Sequence, residues 1–217
     1  MPDWLKRKTE AKNPTPSNDS IQSLRYVVLD TELTSLDRRT NRLLSIGAIE
    51  MHGPSIQLGE QFYRVVNPQV SIPAETVVIH KLRAEDVSEG EELEAALKDF
   101  IQFVGNAVLV GHFLDIDLKV LQKEMRTTGN RLDNPAIDTA RVYSWLLRRG
   151  PFTEDLPVRL GNLELATLAK FYSLDTQGAH HALSDAFLTA RIWQKMLYAL
   201  QANRIDSLRK VLRIGGA

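Results

Sequence analysis

The sequence predicts an α/β domain in which a mixed central sheet, its first three strands antiparallel, is covered by helices. Three observations carry that expectation. Three short apolar runs follow one another closely near the start: Arg25–Leu29, Leu43–Met51 and Gln61–Val66. A helix-spaced run then separates them from a fourth apolar run, Ala107–Val110, stopped by Gly111. From residue 116 onward the apolar spacing is almost wholly helical.

Each element has its own signal. Arg25-Tyr-Val-Val-Leu29 is β-branched and apolar, reads as a buried strand and ends in Asp30. Leu43–Met51 alternates loosely and closes near the turn residues Gly53-Pro54; Gln61–Val66 is closed by Asn67-Pro68. The short connections make these three a meander. Within 91–104, Leu93, Ala96, Leu97, Phe100, Ile101 and Val104 lie on one helical face. Ile116–Met125, Asp138–Leu147, Leu163–Phe171 and Ala182–Leu200 read as further helices, with a Gly- and Pro-containing loop at 150–161. Residues 1–23, polar with Lys6, Arg7 and Lys8, are expected to be an arm that Trp4 and Leu5 can anchor. The division expected is therefore arm (1–23), domain (24–200) and helical tail (201–217).

Composition narrows the chemistry. With 217 residues and 43% hydrophobic content, the chain suits one domain with a full core. Lys+Arg and Asp+Glu are both 27, and this balance favours a short grip on any nucleic acid, or a grip through metal ions, over broad phosphate neutralisation. The absence of cysteine excludes disulfides, zinc–thiolate sites and thiol nucleophiles. No apolar run approaches the ~20 residues of a membrane span, and the charges of the first residues are not followed by an apolar signal segment. The expectation is a cytoplasmic protein without a membrane partner. No Gly-rich phosphate loop follows a strand, so ATP or dinucleotide binding has no support.

Three acidic elements stand out. Asp30-Thr31-Glu32 ends the first strand, where residues two apart point the same way, so two carboxylates share one side. Such a pair is unfavourable without a cation or proton between them, although an Asp-x-Glu also suits a solvated turn. Gly111-His112-Phe113-Leu114-Asp115-Ile116-Asp117 follows the fourth strand, and sites collect at the ends of such strands. Here Asp115 and Asp117 compete as ligand, and either also suits a helix start. His180-His181-Ala182-Leu183-Ser184-Asp185 opens the long helix, with His180 on the preceding loop.

In that order the three elements resemble the DEDDh branch of the DEDD exonucleases, the group of the polymerase epsilon subunit, ribonuclease T and oligoribonuclease. The resemblance covers about residues 24–200. It continues through Asn41–Ala48, through Asn67-Pro68, Ile72-Pro73 and Val78-Ile79-His80, and through Asp138-Thr139-Ala140-Arg141 and Leu163–Ala169. The sequence departs from the family pattern at Leu33-Thr34-Ser35, where Thr-Thr-Gly is usual, at Phe113 in place of Asn, and at Lys81 in place of Gly.

The resemblance implies a ribonuclease H-like fold and a two-metal-ion 3′–5′ exonuclease. It would release nucleoside 5′-monophosphates from the 3′ ends of single-stranded DNA or short RNA. It implies Asp30, Glu32, Asp117 and Asp185 as ligands of two Mg²⁺ or Mn²⁺ ions, with Asp30 bridging, and His180 rather than His181 as general base. An all-oxygen ligand set suits hard cations. Four ionised carboxylates carry about −4, against about +4 for two such ions. Thr31, Leu33, Thr34, His112 and Phe113 are the substrate-contact candidates. His80 and His112 are also readable as structural. Arg38, Arg39 and Arg42, and Arg148, Arg149 and Arg159, are placed to meet phosphates. A polymerase or a regulatory protein is the partner class implied. The competing functions are a catalytically silent binding module of the same fold and a phosphodiesterase for small nucleotides.

Overall fold

The computed structural model describes residues 18–35, 37, 39–70, 82–149, 163–176, 178 and 180–217. The expectations for the first residues of the arm, for Arg38, for the segment holding Ile72, His80 and Lys81, and for the 150–161 loop with Arg159 lie outside them.

Among the described residues, five strands form one mixed sheet: β1 (Arg25–Leu33), β2 (Leu43–His52), β3 (Ser55–Val65), β4 (Val108–Gly111) and β5 (Ala136–Asp138). Their order is β3-β2-β1-β4-β5. The first three strands pair antiparallel, while β4 runs parallel to β1 and β5 parallel to β4. The helices are α1 (Ala84–Ser88), α2 (Leu93–Val104), α3 (Asp115–Thr127), α4 (Thr139–Arg149), α5 (Leu165–Phe171), α6 (Ala182–Ala202) and α7 (Leu208–Gly215). The α/β class, the mixed sheet and the antiparallel first three strands are as the sequence predicts.

Strand β2 is buried at every position but its last, so it does not alternate as expected. The reason is that helices cover both faces of the sheet. One core layer joins Tyr26, Val28, Ile49 and Met51 to α4, α6 and α7. The other joins Val27, Leu29, Ile46, Ala48 and Phe62 to α2 and α3. The central strand thus sends its even and odd residues into two different cores, as a two-residue period requires. Trp193 of α6 is fully buried and meets Tyr26 edge to face at 5.6 Å, and the Tyr26 hydroxyl donates to Ile21 O at 2.8 Å.

Two features were not read from the sequence. Strand β5 has three residues, too few to show a period, and exists by pairing with Leu109–Gly111 of β4. Helix α1 is only five residues long. Two boundaries also move. Ile21, expected in the arm, is fully buried and donates its N–H to Asp206 O, while Leu208 and Val211, expected in a tail, are core residues. The ends of the described chain are joined by the Ser20–Ser207 bridge, and Gly216 bridges to Ile137. Burial of Leu208 and Val211 is what makes residues 208–215 a separate helix and not an extension of α6. No helix among the described residues is long and apolar enough to cross a membrane.

Candidate active site

Strands β1, β4 and β5 are mutually parallel along the sheet, so their C-terminal ends emerge together. The acidic elements lie at those ends, where α/β sheets form their crevice. Asp30 and Glu32 lie within β1, which runs further than the apolar run alone indicated, and they face the α6 side with Val28. Opposite Asp30 in the ladder is Gly47. A Cβ there would lie 2.2 Å from the backbone of Ala182 and Leu183, so this glycine lets the start of α6 lie directly on the sheet. Asp185, in the first turn of α6, is thereby brought over β1. One carboxylate oxygen from each of Asp30, Glu32 and Asp185 lies within 4.8 Å of the others.

Asp117 comes from the other face. It sits in the first turn of α3 and is buried. Its Oδ1 accepts from the Thr31 N–H at 3.0 Å and the Thr31 hydroxyl at 2.6 Å. Between the two acids that compete in the sequence, the structure thus places Asp117 against β1. Asp115 points elsewhere, with its Oδ2 2.5 Å from Nη2 of Arg141, and it does not cap the helix, whose N-cap is Leu114.

The electrostatics follow from this crowding. Burial first, then Asp117, Glu32 and Asp185, hold Asp30 well above the usual carboxylate range. Burial, then Asp185 and Asp117, push Glu32 up to about 7. Burial also raises Asp117 to about 7; the Thr31 bonds act in the opposite direction and Asp138 adds to the rise. Carboxyl groups this reluctant to ionise together either share protons or receive cations. The donor set is entirely oxygen, which fits hard divalent ions.

His180 precedes α6 and is exposed. Its backbone is left-handed, with φ 66°, and its N–H donates to Asp185 Oδ2 at 2.9 Å. Histidine adopts that region sparingly, so a local bond that holds it there is significant. His181 is the N-cap residue, and its ring stacks on Tyr63 with centroids 4.6 Å apart. The two histidines thus point to different tasks, with His181 packed into the sheet edge and His180 at the rim.

The substrate-contact candidates divide. Thr31 is committed to Asp117. Thr34 is buried, and its hydroxyl accepts the Arg42 N–H at 2.9 Å. His112 is buried, with Nδ1 2.9 Å from the Thr139 hydroxyl and Nε2 2.6 Å from Leu163 O. Both ring nitrogens being engaged, its role as a substrate contact gives way to a structural one: it ties β4 to the starts of α4 and α5. Leu33 is partly buried against the α2–α3 core. Phe113 is 41% exposed, with φ 53°, and remains the open aromatic at the rim.

Asp138 was noticed in the sequence only as a helix start. It is buried, takes the Ala140 N–H at 2.8 Å, adds to the rise that burial gives Asp117, and partly opposes the lowering that burial gives His112. The signal available in the sequence was the Asp138-Thr139 pair at the helix start.

Comparison with known proteins agrees with this geometry. The RNase T exonuclease family profile matches residues 27–193. The chain is 31% identical over 186 residues to the DNA polymerase III subunit epsilon of Rickettsia conorii, covering 84% of this chain and 77% of that protein. It is 28% identical over 200 residues to the PolC-type DNA polymerase III of Caldanaerobacter subterraneus, covering 91% of this chain but only 13% of the polymerase. In three dimensions it resembles the zinc-bound Escherichia coli exonuclease I complex with single-stranded DNA. That match has a TM-score of 0.71 and 18% identity, and it covers 85% of this chain and 42% of the other.

Proposed function

The chain belongs to the RNase T exonuclease family, and we propose that it is a two-metal-ion 3′–5′ exonuclease. It takes single-stranded DNA or short RNA and releases nucleoside 5′-monophosphates. The observation that carries the proposal is the trio Asp30, Glu32 and Asp185, whose oxygens lie within 4.8 Å of one another at the end of β1. Asp117 faces them from α3.

Each residue has a distinct task in this reading. Asp30, Glu32 and Asp185 would together hold one ion, with Asp30 also a candidate to share a second, which Asp117 would help to hold. Bound there, Mg²⁺ or Mn²⁺ would stabilise the attacking and leaving oxygens of an in-line displacement at phosphorus. His180 accepts the proton of the attacking water. Its backbone bond to Asp185 keeps the loop beside the ligands, and its exposed ring is free to swing to the water. Phe113 offers a face for stacking the terminal base, an interaction tolerant of sequence. The relatives' names, a polymerase III subunit and a PolC-type polymerase, support a polymerase as protein partner.

The test is side-by-side digestion of labelled single-stranded DNA, RNA and dinucleotides with Mn²⁺. Stepwise shortening from the 3′ end with release of 5′-monophosphates is expected. Cleavage of dinucleotides alone would replace the proposal with a small-nucleotide phosphodiesterase. No cleavage of any substrate by a folded, Mn²⁺-binding protein would leave a silent binding module.

A further inference from the structure

A second feature lies on the other flank of α3. Asn41, just before β2, sits beside the outer side of this helix, and together they border a small cavity of about 30 Å³. Asn41, Ile116, Lys119, Val120 and Lys123 line it. Asn41 is 2% exposed, yet among the described residues its side-chain Oδ1 has no hydrogen-bond partner. The residue is fixed to the helix by Lys123, whose Nζ donates to Asn41 O at 2.8 Å. A buried, unpartnered amide at the bottom of a cleft is costly unless something polar reaches it. By rotation about its last bond the amide offers either its oxygen or its N–H groups.

The charge around the cleft has one sign. Lys119 and Lys123 are the charged residues that line it, and among the described residues neither is in an ion pair. The nearby acids are otherwise engaged. Asp37 takes the Arg39 N–H and the Thr40 hydroxyl. Asp115 is paired with Arg141, Glu124 is buried, and Asp117 belongs to the acid cluster. Lys119 and Lys123, four apart on one helix, lie on the same side.

The cleft also has a direction. Asp117 to Lys123 spans about 9 Å along a helix at ~1.5 Å per residue. Ile116, 36% exposed, lines the cleft beside the lysines, and Phe113, 41% exposed, precedes the helix. The lysines thus follow Asp117 on the same helix after about 3 and 9 Å of rise.

We propose that this cleft is a phosphate subsite, in which Lys119, Lys123 and Asn41 grip the nucleic-acid backbone a nucleotide or two 5′ of the scissile bond. The proposal rests on the exonuclease reading. It gives a chain of balanced net charge a local grip on substrate, since a short cationic track acts through its own field and not through the sum.

The experiment compares two substrates of the full chain with Mn²⁺: a short single-stranded oligonucleotide, and the p-nitrophenyl ester of thymidine 5′-monophosphate, too short to reach the cleft. In Lys119→Ala/Lys123→Ala, kcat/KM for the oligonucleotide should fall about 10-fold relative to that for the ester. The loss should lie in KM, with a salt dependence about one to two phosphate contacts shallower. Lys119→Glu, which breaks no hydrogen bond or ion pair among the described residues, should show the same loss or a larger one, and Lys119→Arg should restore the oligonucleotide. An unchanged ratio and salt slope in Lys119→Glu, with both substrates cleaved, overturns the subsite and leaves the exonuclease reading standing. A wild-type chain that cleaves neither substrate overturns both.

Discussion

Asp117 and Asp30 bring the same functional group to one site from opposite faces of the sheet, and the protein holds them in opposite ways. Asp117 receives two donors from Thr31. Asp30 and Glu32 receive no side-chain hydrogen bond among the described residues, and their neighbours are other acids. A carboxylate fixed by donors is set in place before any ligand arrives. One fixed only by its strand is waiting for positive charge. The site is thus half preorganised, with a rigid acid on the α3 side and a repelling trio on the α6 side.

The sharpest way to break this comparison is Asp30→Asn. Activity should fall by several orders of magnitude, since the proposed bridge between the cations is lost. The same change removes a repelling charge, so without metal the variant should melt at a temperature equal to or above wild type. A folded variant with near-normal turnover at saturating Mn²⁺ sinks the metal assignment. Next is His180→Ala, which should cost a factor of roughly 10²–10⁴ in rate, as loss of a general base does. Mn²⁺ affinity, followed by calorimetry, should stay unchanged. His181→Ala, whose ring packs on Tyr63, should cost far less; the reverse ranking would show that the roles of the two histidines are exchanged.

Thr31→Val tests the preorganised half. It removes the 2.6 Å hydroxyl bond to Asp117 but keeps the backbone donor. Metal affinity should weaken by about 10- to 100-fold, the usual effect of a lost outer partner, and an unchanged affinity would show that the hydroxyl does not position Asp117.

The smallest effect is on stability. The folded-state pKa values of Asp30, Glu32 and Asp117 are raised, the latter two to about 7. A raised acid contributes its stability below the unfolded value, about 4, and loses it as pH climbs to the folded one. In EDTA, the melting temperature should therefore decline as pH rises from about 4.5 through 7. Millimolar Mn²⁺ should raise the melting temperature above pH 7 and flatten that decline, because it binds the ionised cluster of the native state. A flat profile in EDTA would show that the acids do not repel.

Much of this was legible in the chain. The periods of two and 3.6 residues located four of the five strands and most of the helices, because they report which side of a local element meets the core. Asp30, Glu32, Asp117, Asp185 and His180 were picked out as motif residues, since side chains at strand ends and helix starts occupy short local patterns. The structure places three of the acids in mutual reach, Asp117 against the same strand, and His180 beside Asp185.

The rest depended on residues far apart in sequence. Thr31 and Asp117 are 86 positions apart, and His112 and Leu163 are 51. No local pattern predicts that Thr31 and His112 use their polar atoms inward, and so both looked free for substrate. Ile21 and Leu208 join one core only because the two ends of the chain are brought together. The cleft of Asn41, Lys119 and Lys123 exists only where a turn meets a helix. The sequence by itself determined the elements, their faces and the chemical type of the site, since each is written in the spacing of neighbouring residues. Tertiary structure decided which side chains are already engaged and which face outward, because a hydrogen bond or a buried surface is the joint property of two segments brought together by folding.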